Sequence, residues 1–230
     1  IYVGAIRTMW KWAYDQEQWE KQIGRPRKIE LSVPSKTPVV APTWADCDRM
    51  ISCLHPAYGA FRACVIMRLT GLRVTQASSL RIEDFDLTAK TLTVRGELGK
   101  SAAERSGRII PVPDQLIEFV RHWAGEQKTG GLVGAGHIRQ SAFNAWKRAG
   151  IRPELWQARP CHAFRKAYET ELFDRGANML RVEYLVGHAL PGELSTYVAP
   201  RTPALLEVIA QVAPVRITDG SLRSGGLITA

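Results

Sequence analysis

Cysteine is scarce in this chain: Cys47, Cys53, Cys64 and Cys161 are the only four in 230 residues. They are too few and too irregularly spaced for a disulfide framework, and none forms the CxxC pair of a zinc site. A reducing cytosol is the expectation. No apolar run approaches the roughly 18–20 residues that span a bilayer, so no membrane partner is expected. Ile1–Trp19 lacks the short apolar block and small-residue cleavage site of a secretory leader, and an internal start of this kind is expected of a piece of a longer protein. Acidic residues are in deficit, 22 against 31 Lys and Arg, for a net charge of +9. That excess favours a polyanionic partner, because Lys and Arg that neutralise phosphates release counterions. What is present is ordinary: 45% hydrophobic and 23% charged residues exclude a disordered tail or a fibre. The length suits one domain with its own core plus a fragment of another.

Residues 1–24 set Trp10, Trp12, Tyr14 and Trp19 among charges with no breaker after Gly4 until Gly24, which reads as the end of an amphipathic helix and the remnant of a preceding domain. Residues 25–42 carry Pro26, Pro34, Pro38 and Pro42 with Arg25, Arg27, Lys28 and Lys36, an extended basic linker. Residues 43–213 read as one compact unit and 214–230 as a polar, small-residue tail. Thr43 with Asp46 predicts a capping box, opening a helix that buries Cys47, Met50, Ile51 and Leu54 and stops before Pro56. A nearly apolar helix over about 60–69 is the predicted core, ending at Thr70-Gly71; a short helix over 74–80 and a turn over 81–87 follow. Thr91–Arg95 and Arg108–Val112 are β-branched and alternate, so they predict two antiparallel strands joined by a long polar connection. Helices are then predicted near 114–123, 138–148, 161–175, 179–186 and 202–212, with a Gly-rich loop over 125–136. The sum is a mostly α domain with a small antiparallel β-sheet, an α+β fold.

Four short signals bear on chemistry. His162-Ala163-Phe164-Arg165 places His162 and Arg165 on one helix face, opposite a core stripe of Phe164, Tyr168 and Leu172. Thr70-Gly71-Leu72-Arg73 puts a basic residue just after a helix-ending glycine, Leu185-Val186-Gly187-His188 does the same with a histidine, and Tyr197 lies nine positions beyond His188. Singly, each has an ordinary explanation: a solvated polar face, side chains capping helix carbonyls, a half-buried aromatic. Together, in this order and spacing, they resemble the tyrosine recombinase (phage integrase) family. Its catalytic domain is marked by an arginine in a TGLR segment, an HxxR helix, an LGH box and a nucleophilic tyrosine. The resemblance covers about residues 43–212, and it makes residues 1–24 similar to the last helix of that family's core-binding domain.

The resemblance implies a site-specific recombinase that cuts and rejoins DNA through a 3′-phosphotyrosine, with no cofactor or metal. Tyr197 is then the nucleophile; Arg73, Arg165 and His188 hold the phosphate; His162 assists proton transfer; and Lys100, in the loop between the two strands, is the general acid for the leaving 5′-oxygen. The residue types suit those roles. A tyrosine hydroxyl with a pKa near 10 needs neighbouring cations and a proton acceptor to attack phosphorus. Planar guanidinium forks hold non-bridging oxygens in pairs as a lysine cannot. Lys90 precedes the first strand, and Arg105 does not release a proton usefully. The basic run Arg139, Lys147, Arg148, Arg152, Arg159, Arg165 and Lys166 is opposed only by Glu154, and Arg139, Lys147, Arg148, Arg159 and Lys166 are the DNA-contact candidates. The implied partners are double-stranded recombination sites and three further protomers, a homotetramer on paired sites from a monomer without DNA, in the cytoplasm of a bacterial or phage-host cell at its nucleoid. The 202–212 helix, with Leu205, Leu206, Ile209 and Val212 on one face, docks on a neighbouring protomer or packs on its own domain.

One residue departs from the family pattern. Three positions after the first arginine an acidic residue is usual, and Gln76 stands here, so the cation cluster lacks that counter-charge; Glu83 and Asp84 are the nearby carboxylates that could replace it. Gly99-Lys100-Ser101 suggests a phosphate-binding P-loop, but that motif needs glycine where Val94 stands and a helix where a strand follows. A zinc site from Cys161, His162 and His188 lacks a fourth spaced ligand. A type IB topoisomerase uses similar residues but fits the His188–Tyr197 spacing less well, and a non-catalytic DNA-binding relative would not need every family role filled.

Overall fold

The computed structural model describes residues 8–9, 12, 40–96, 107–125, 129–134, 136–188 and 202–217. The chain divides into two units, Ile1–Val39 and Val40–Ala230. In the first, Thr8, Met9 and Trp12 are helical and exposed; the rest of the predicted Trp-rich helix and nearly all of the predicted linker lie outside the described residues.

The second unit is organised around a helix with no polar face. Helix α1 (Trp44–Ile51) opens with the expected capping box: Asp46 N–H donates to Thr43 Oγ1, and Thr43 N–H donates to Asp46 Oδ2, each at 3.1 Å. Helix α2 (Gly59–Thr70) buries Ala60, Phe61 and every residue from Ala63 to Thr70. Helices α1, α3 (Val74–Ser79), α5 (Ile138–Arg148) and α6 (His162–Asp174) all pack against it. Burial of a Phe, Ile, Met or Leu here stabilises the fold by about 1.5–3 kcal/mol. The one cation enclosed in α2, Arg68, donates from Nε to Asp48 Oδ1 at 2.9 Å and lies over the Trp44 ring at 4.5 Å. Arg175 stacks on the same ring at 4.7 Å.

The sheet has three antiparallel strands in the order β1 (Phe85–Asp86), β2 (Thr91–Val94), β3 (Arg108–Pro111). Two of these match the predicted pair. The third lies where the sequence predicted only a turn, which is instead a 3-10 turn (Ile82–Asp84) leading into β1. Two residues are too few to show alternation. They are held in place by Asp84, whose Oδ1 takes Arg95 Nε and Nη2 at 2.9 and 2.6 Å at the end of β2. In register, Leu92 pairs with Ile110 on the buried side and Thr93 with Ile109 on the exposed side; the ladder ends at Val94–Arg108. Lys100, in the connection beyond, lies outside the described residues.

Helices α4 (Asp114–Ala124), α7 (Met179–Val186) and α8 (Thr202–Ile209) complete the unit. Helix α8 buries Leu205, Val208 and Ile209 and packs on β3 and α7 of its own domain. Of the predicted tail, Val215 and Ile217 are buried beside exposed neighbours, and Gln115 brackets Val215 with bonds to its carbonyl (3.0 Å) and from its N–H (2.7 Å). Arg216 N–H donates to Asp48 Oδ2 at 3.1 Å, so the carboxylate that neutralises Arg68 also pins this returning strap.

Asp48 therefore holds both a buried cation and the strap. Asp48→Ala leaves Arg68 buried without its hydrogen-bonded counter-charge and removes one anchor of the strap, and it is expected to lower the unfolding free energy by about 3–5 kcal/mol, read from urea denaturation. A loss under about 1 kcal/mol would mean that Arg68 is stabilised mainly by its stack on Trp44.

Candidate active site

Helix α6 carries the HxxR pair, and the segment leading into it is fixed by aromatic packing. Trp146 of α5 stacks on Trp156 with ring centroids 6.2 Å apart and touches Phe164 at 5.4 Å. Both indoles are satisfied by backbone: Trp146 Nε1 donates to Pro160 O at 2.9 Å and Trp156 Nε1 to Ile151 O at 3.0 Å. The predicted core stripe of Phe164, Tyr168 and Leu172 is fully buried. The opposite face differs from a solvated polar one: Arg165 is also fully buried, because the ends of α2 and α7 close over it.

Those two helix ends carry the other two phosphate-holding candidates. Arg165 Nη1 donates to Gly71 O at 3.3 Å and Val186 O at 2.6 Å, carbonyls that each lie two residues before Arg73 and His188. Gly71 adopts φ +66°, and a Cβ there would sit 2.7 Å from Tyr168 Cδ1 and 2.9 Å from Val186 Cγ1, so only glycine lets the three segments approach. Arg73 follows as the N-cap of α3, half-buried, and its backbone N–H donates to Oε1 of buried Gln76 at 3.2 Å. The amide at position 76 thus orders the start of α3 without adding charge.

At the end of α7, Gly187 (φ +75°) turns the chain, with its N–H donating to Glu183 O at 2.9 Å and His188 N–H to the same carbonyl at 2.9 Å. Arg108 reaches this end from β3, donating to Leu185 O from Nε (3.2 Å) and Nη2 (3.1 Å). The His188 ring meets Glu183 Oε2 through Nδ1, and its Nε2 lies 3.6 Å from Glu169 Oε1. Glu169 Oε1 is also 3.1 Å from Arg165 Nε. Arg165 Nη2 and Nε are both buried without a hydrogen-bond partner among the described residues, so Nε is held to Glu169 by charge alone.

The electrostatics separate the roles. Burial brings the Arg165 guanidinium down to about 10, with Glu169 opposing the shift and Arg73 and Arg108 adding to it; the group stays charged at neutral pH. Burial first, then Arg165, Lys166, Arg159 and Arg73, brings His162 down to about 4, so its imidazole is neutral and able to accept a proton. Burial raises the Glu169 carboxyl, while Arg165 and His188 oppose that rise.

Of the DNA-contact candidates, Arg139 and Arg159 line one cavity of about 330 Å³ together with His162, Cys161 and Val74. Lys166 is half-buried beside Arg165. Lys147 and Arg148 sit at the far end of α5, about 12–14 Å of helix from Arg139. There Arg148 donates to Cys53 O at 2.6 Å. Tyr197 and Lys100 lie outside the described residues. The two carboxylates proposed to replace an acid at position 76 are used elsewhere: Asp84 holds Arg95, and Glu83 holds Arg81 and the Gly130 N–H. Cys161 is buried, and burial pushes its thiol up to about 11. Among the described residues no three His, Cys, Asp or Glu side chains are grouped to hold a metal. Sequence reasoning missed Glu169, Glu183 and Arg108. Glu169 was legible as an i, i+4 partner of Arg165; Arg108 had no local signal, since its partner is 77 residues away.

Residues 51–202 match the model of the phage integrase family. The tyrosine recombinase XerA of Thermococcus kodakarensis is 26% identical over 199 residues, covering 82% of this chain and 66% of that protein. The integrase of mycobacterium phage Brujita superposes with a TM-score of 0.59 at 20% identity, covering 96% of this chain and 73% of the other. XerH recombinase, solved bound to its difH substrate in a pre-cleavage complex, gives 0.59 at 19% identity over 82% of this chain and 58% of its own. The chain spans about half to two thirds of the length of the curated relatives it matches.

The low value for His162 has a consequence for stability. The folded value near 4 lies below the ordinary 6.5, so between those pH values the unfolded chain binds a proton that the native state excludes. This contribution is complete above about pH 6.5 and is lost as pH falls toward 4. His162→Gln is expected to lose less stability than the parent chain between pH 7 and pH 4.5 in urea denaturation. An imidazole that titrates by NMR at the ordinary histidine value would show the reading of its surroundings to be wrong.

Proposed function

Because the chain belongs to the phage integrase family, we propose that it is the catalytic part of a site-specific DNA recombinase that breaks and rejoins strands through a 3′-phosphotyrosine. The observation that carries this is the buried Arg165, whose Nη2 has no hydrogen-bond partner among the described residues and whose Nη1 bonds span the segments that present Arg73 and His188. A scissile phosphate seated there receives Nη2 of Arg165, the fork of Arg73 and Nε2 of His188 on its non-bridging oxygens. Neutral His162 accepts the phenolic proton of Tyr197, whose oxygen bonds to phosphorus as the P–O5′ bond breaks; the 5′-oxygen takes its proton from Lys100. Tyr197 and Lys100 enter on the family pattern of the sequence. Each preorganised donor of this kind is typically worth about 3–4 kcal/mol in the transition state, a factor of about 10²–10³ in rate. The phosphotyrosine keeps the energy of the broken ester, so a second 5′-hydroxyl reverses the step without ATP.

Arg139 and Arg159, flanking His162, supply backbone contacts to the duplex on either side of that phosphate, with the salt dependence that phosphate contacts bring. Exchange of four strands requires four protomers on paired sites. XerH, solved on its difH substrate, is the relative whose form this proposal extends to the present chain.

On a nicked suicide duplex carrying the recognition site, the chain is expected to give a covalent adduct visible on a denaturing gel. Tyr197→Phe should bind the duplex as before and give none, whereas Tyr184→Phe should react normally; the reverse pattern would move the nucleophile to α7. Lys100→Ala should slow cleavage by about 10²-fold or more, and a 5′-thio leaving group, which needs no proton, should restore the rate. A variant that stays slow on the thio substrate would assign the general acid to another group.

A further inference from the structure

Arg73 and Arg108 each lie within electrostatic reach of Arg165, and Gln76 adds no charge beside them. The carboxylates that face this cluster come from α6 and α7. Glu169, four residues after Arg165, sets Oε1 3.1 Å from Arg165 Nε and 3.6 Å from His188 Nε2. Glu183, five residues before His188, meets the other nitrogen of the same ring.

We propose that Glu169 is a positioning residue: its carboxylate bridges Arg165 and His188, with Glu183 fixing the imidazole from behind, and so aims Arg165 Nη2 and His188 Nε2 at one anion. Three features of the geometry support this. Arg165 faces Glu169 through Nε, an ion pair at 3.1 Å, and bonds the helix ends through Nη1; Nη2, buried and without a hydrogen-bond partner among the described residues, is the nitrogen turned to neither, the one a phosphate would use. The 3.6 Å separation at His188 is longer than a hydrogen bond, so Nε2 faces the carboxylate without being consumed by it. Glu169 Oε1 is buried and makes no directed hydrogen bond of its own, so the Arg165 guanidinium and the His188 ring beside it set its place. The geometric role stands on the contacts alone; its consequence for rate rests on the recombinase reading above.

The test uses this chain with Glu169→Gln, which keeps the shape and removes the charge, and Glu169→Asp. Two measurements are made: the His188 ring resonances by NMR on histidine-labelled protein, with exposed His55 and His122 as internal references, and the single-turnover rate of adduct formation on the nicked duplex. Glu169→Gln should shift the His188 ring signals, leave those of His55 and His122 in place, and slow the adduct by about 10- to 100-fold, with DNA affinity within about threefold and partial recovery in Glu169→Asp. Unshifted His188 signals would overturn the bridge whatever the rate does, and shifted signals at an unchanged rate would reduce it to a structural contact. If the signals shift as expected but the parent chain forms no adduct, the strand-transfer reading fails while the bridge stands.

Discussion

A guanidinium with no exposure to water has to be surrounded by acceptors, and in this fold that demand falls at Arg165. Its partners come from three separate places: the carbonyl that closes α2 and a carbonyl at the end of α7, which accept hydrogen bonds, and a carboxylate on its own helix, which pairs by charge. Satisfying one buried charge therefore brings together the termini of helices that are far apart in sequence. Gly71 has a left-handed backbone and no side chain because Tyr168 and Val186 occupy the space a Cβ would need. Arg73 and His188, each two residues beyond a carbonyl that Arg165 holds, are placed by the same closure. In such dry surroundings the last donor of the guanidinium is worth more to an incoming anion than it would be on a wetted surface.

The same burial sorts the titrating groups by their starting points. Arg165 and His162 lie three residues apart on α6, and both are pushed toward neutrality. The arginine begins so high that at about 10 it remains a cation, whereas the imidazole, brought to about 4, becomes a neutral base. One environment thus supplies a fixed positive donor and a proton acceptor side by side, the division of labour that displacement at a phosphodiester needs.

Much of this was legible in the sequence where the signal was local. The Thr43–Asp46 box, the apolar α2, and the exact span of α7 follow from capping residues, composition and periodicity. The failures are tertiary. Helical spacing correctly put His162 and Arg165 on one face, but spacing cannot say what covers a face, and here two distant helix ends do. Strand β1 is two residues long, paired to β2 beside the Asp84–Arg95 contact, and neither the short pairing nor that contact is registered by an alternation pattern. The strap at Val215 and Ile217 has only two apolar residues of its own and is held by Gln115 and Asp48 from elsewhere in the chain. Arg108 looked like the first residue of a strand, and it is; its role at Leu185 O appears only when the sheet meets α7.

That contact completes the charge balance of the site. Arg165 and Arg108 direct donors at Gly71 O, Leu185 O and Val186 O, which belong to the C-terminal ends of α2 and α7. The last carbonyls of a helix carry about half a negative charge between them. Two such ends, with Glu169 and Glu183, oppose the arginines where a carboxylate at position 76 would otherwise have done so. The distribution matters because carbonyl dipoles are fixed in the backbone and cannot move to follow a cation. They hold the guanidinium groups in place, but as partial charges already committed to NH bonds they compete weakly with a phosphate for the donors that remain. A site balanced largely by helix ends can therefore be stable when empty and still bind an anion strongly, which a site neutralised by carboxylates alone could do only by displacing them.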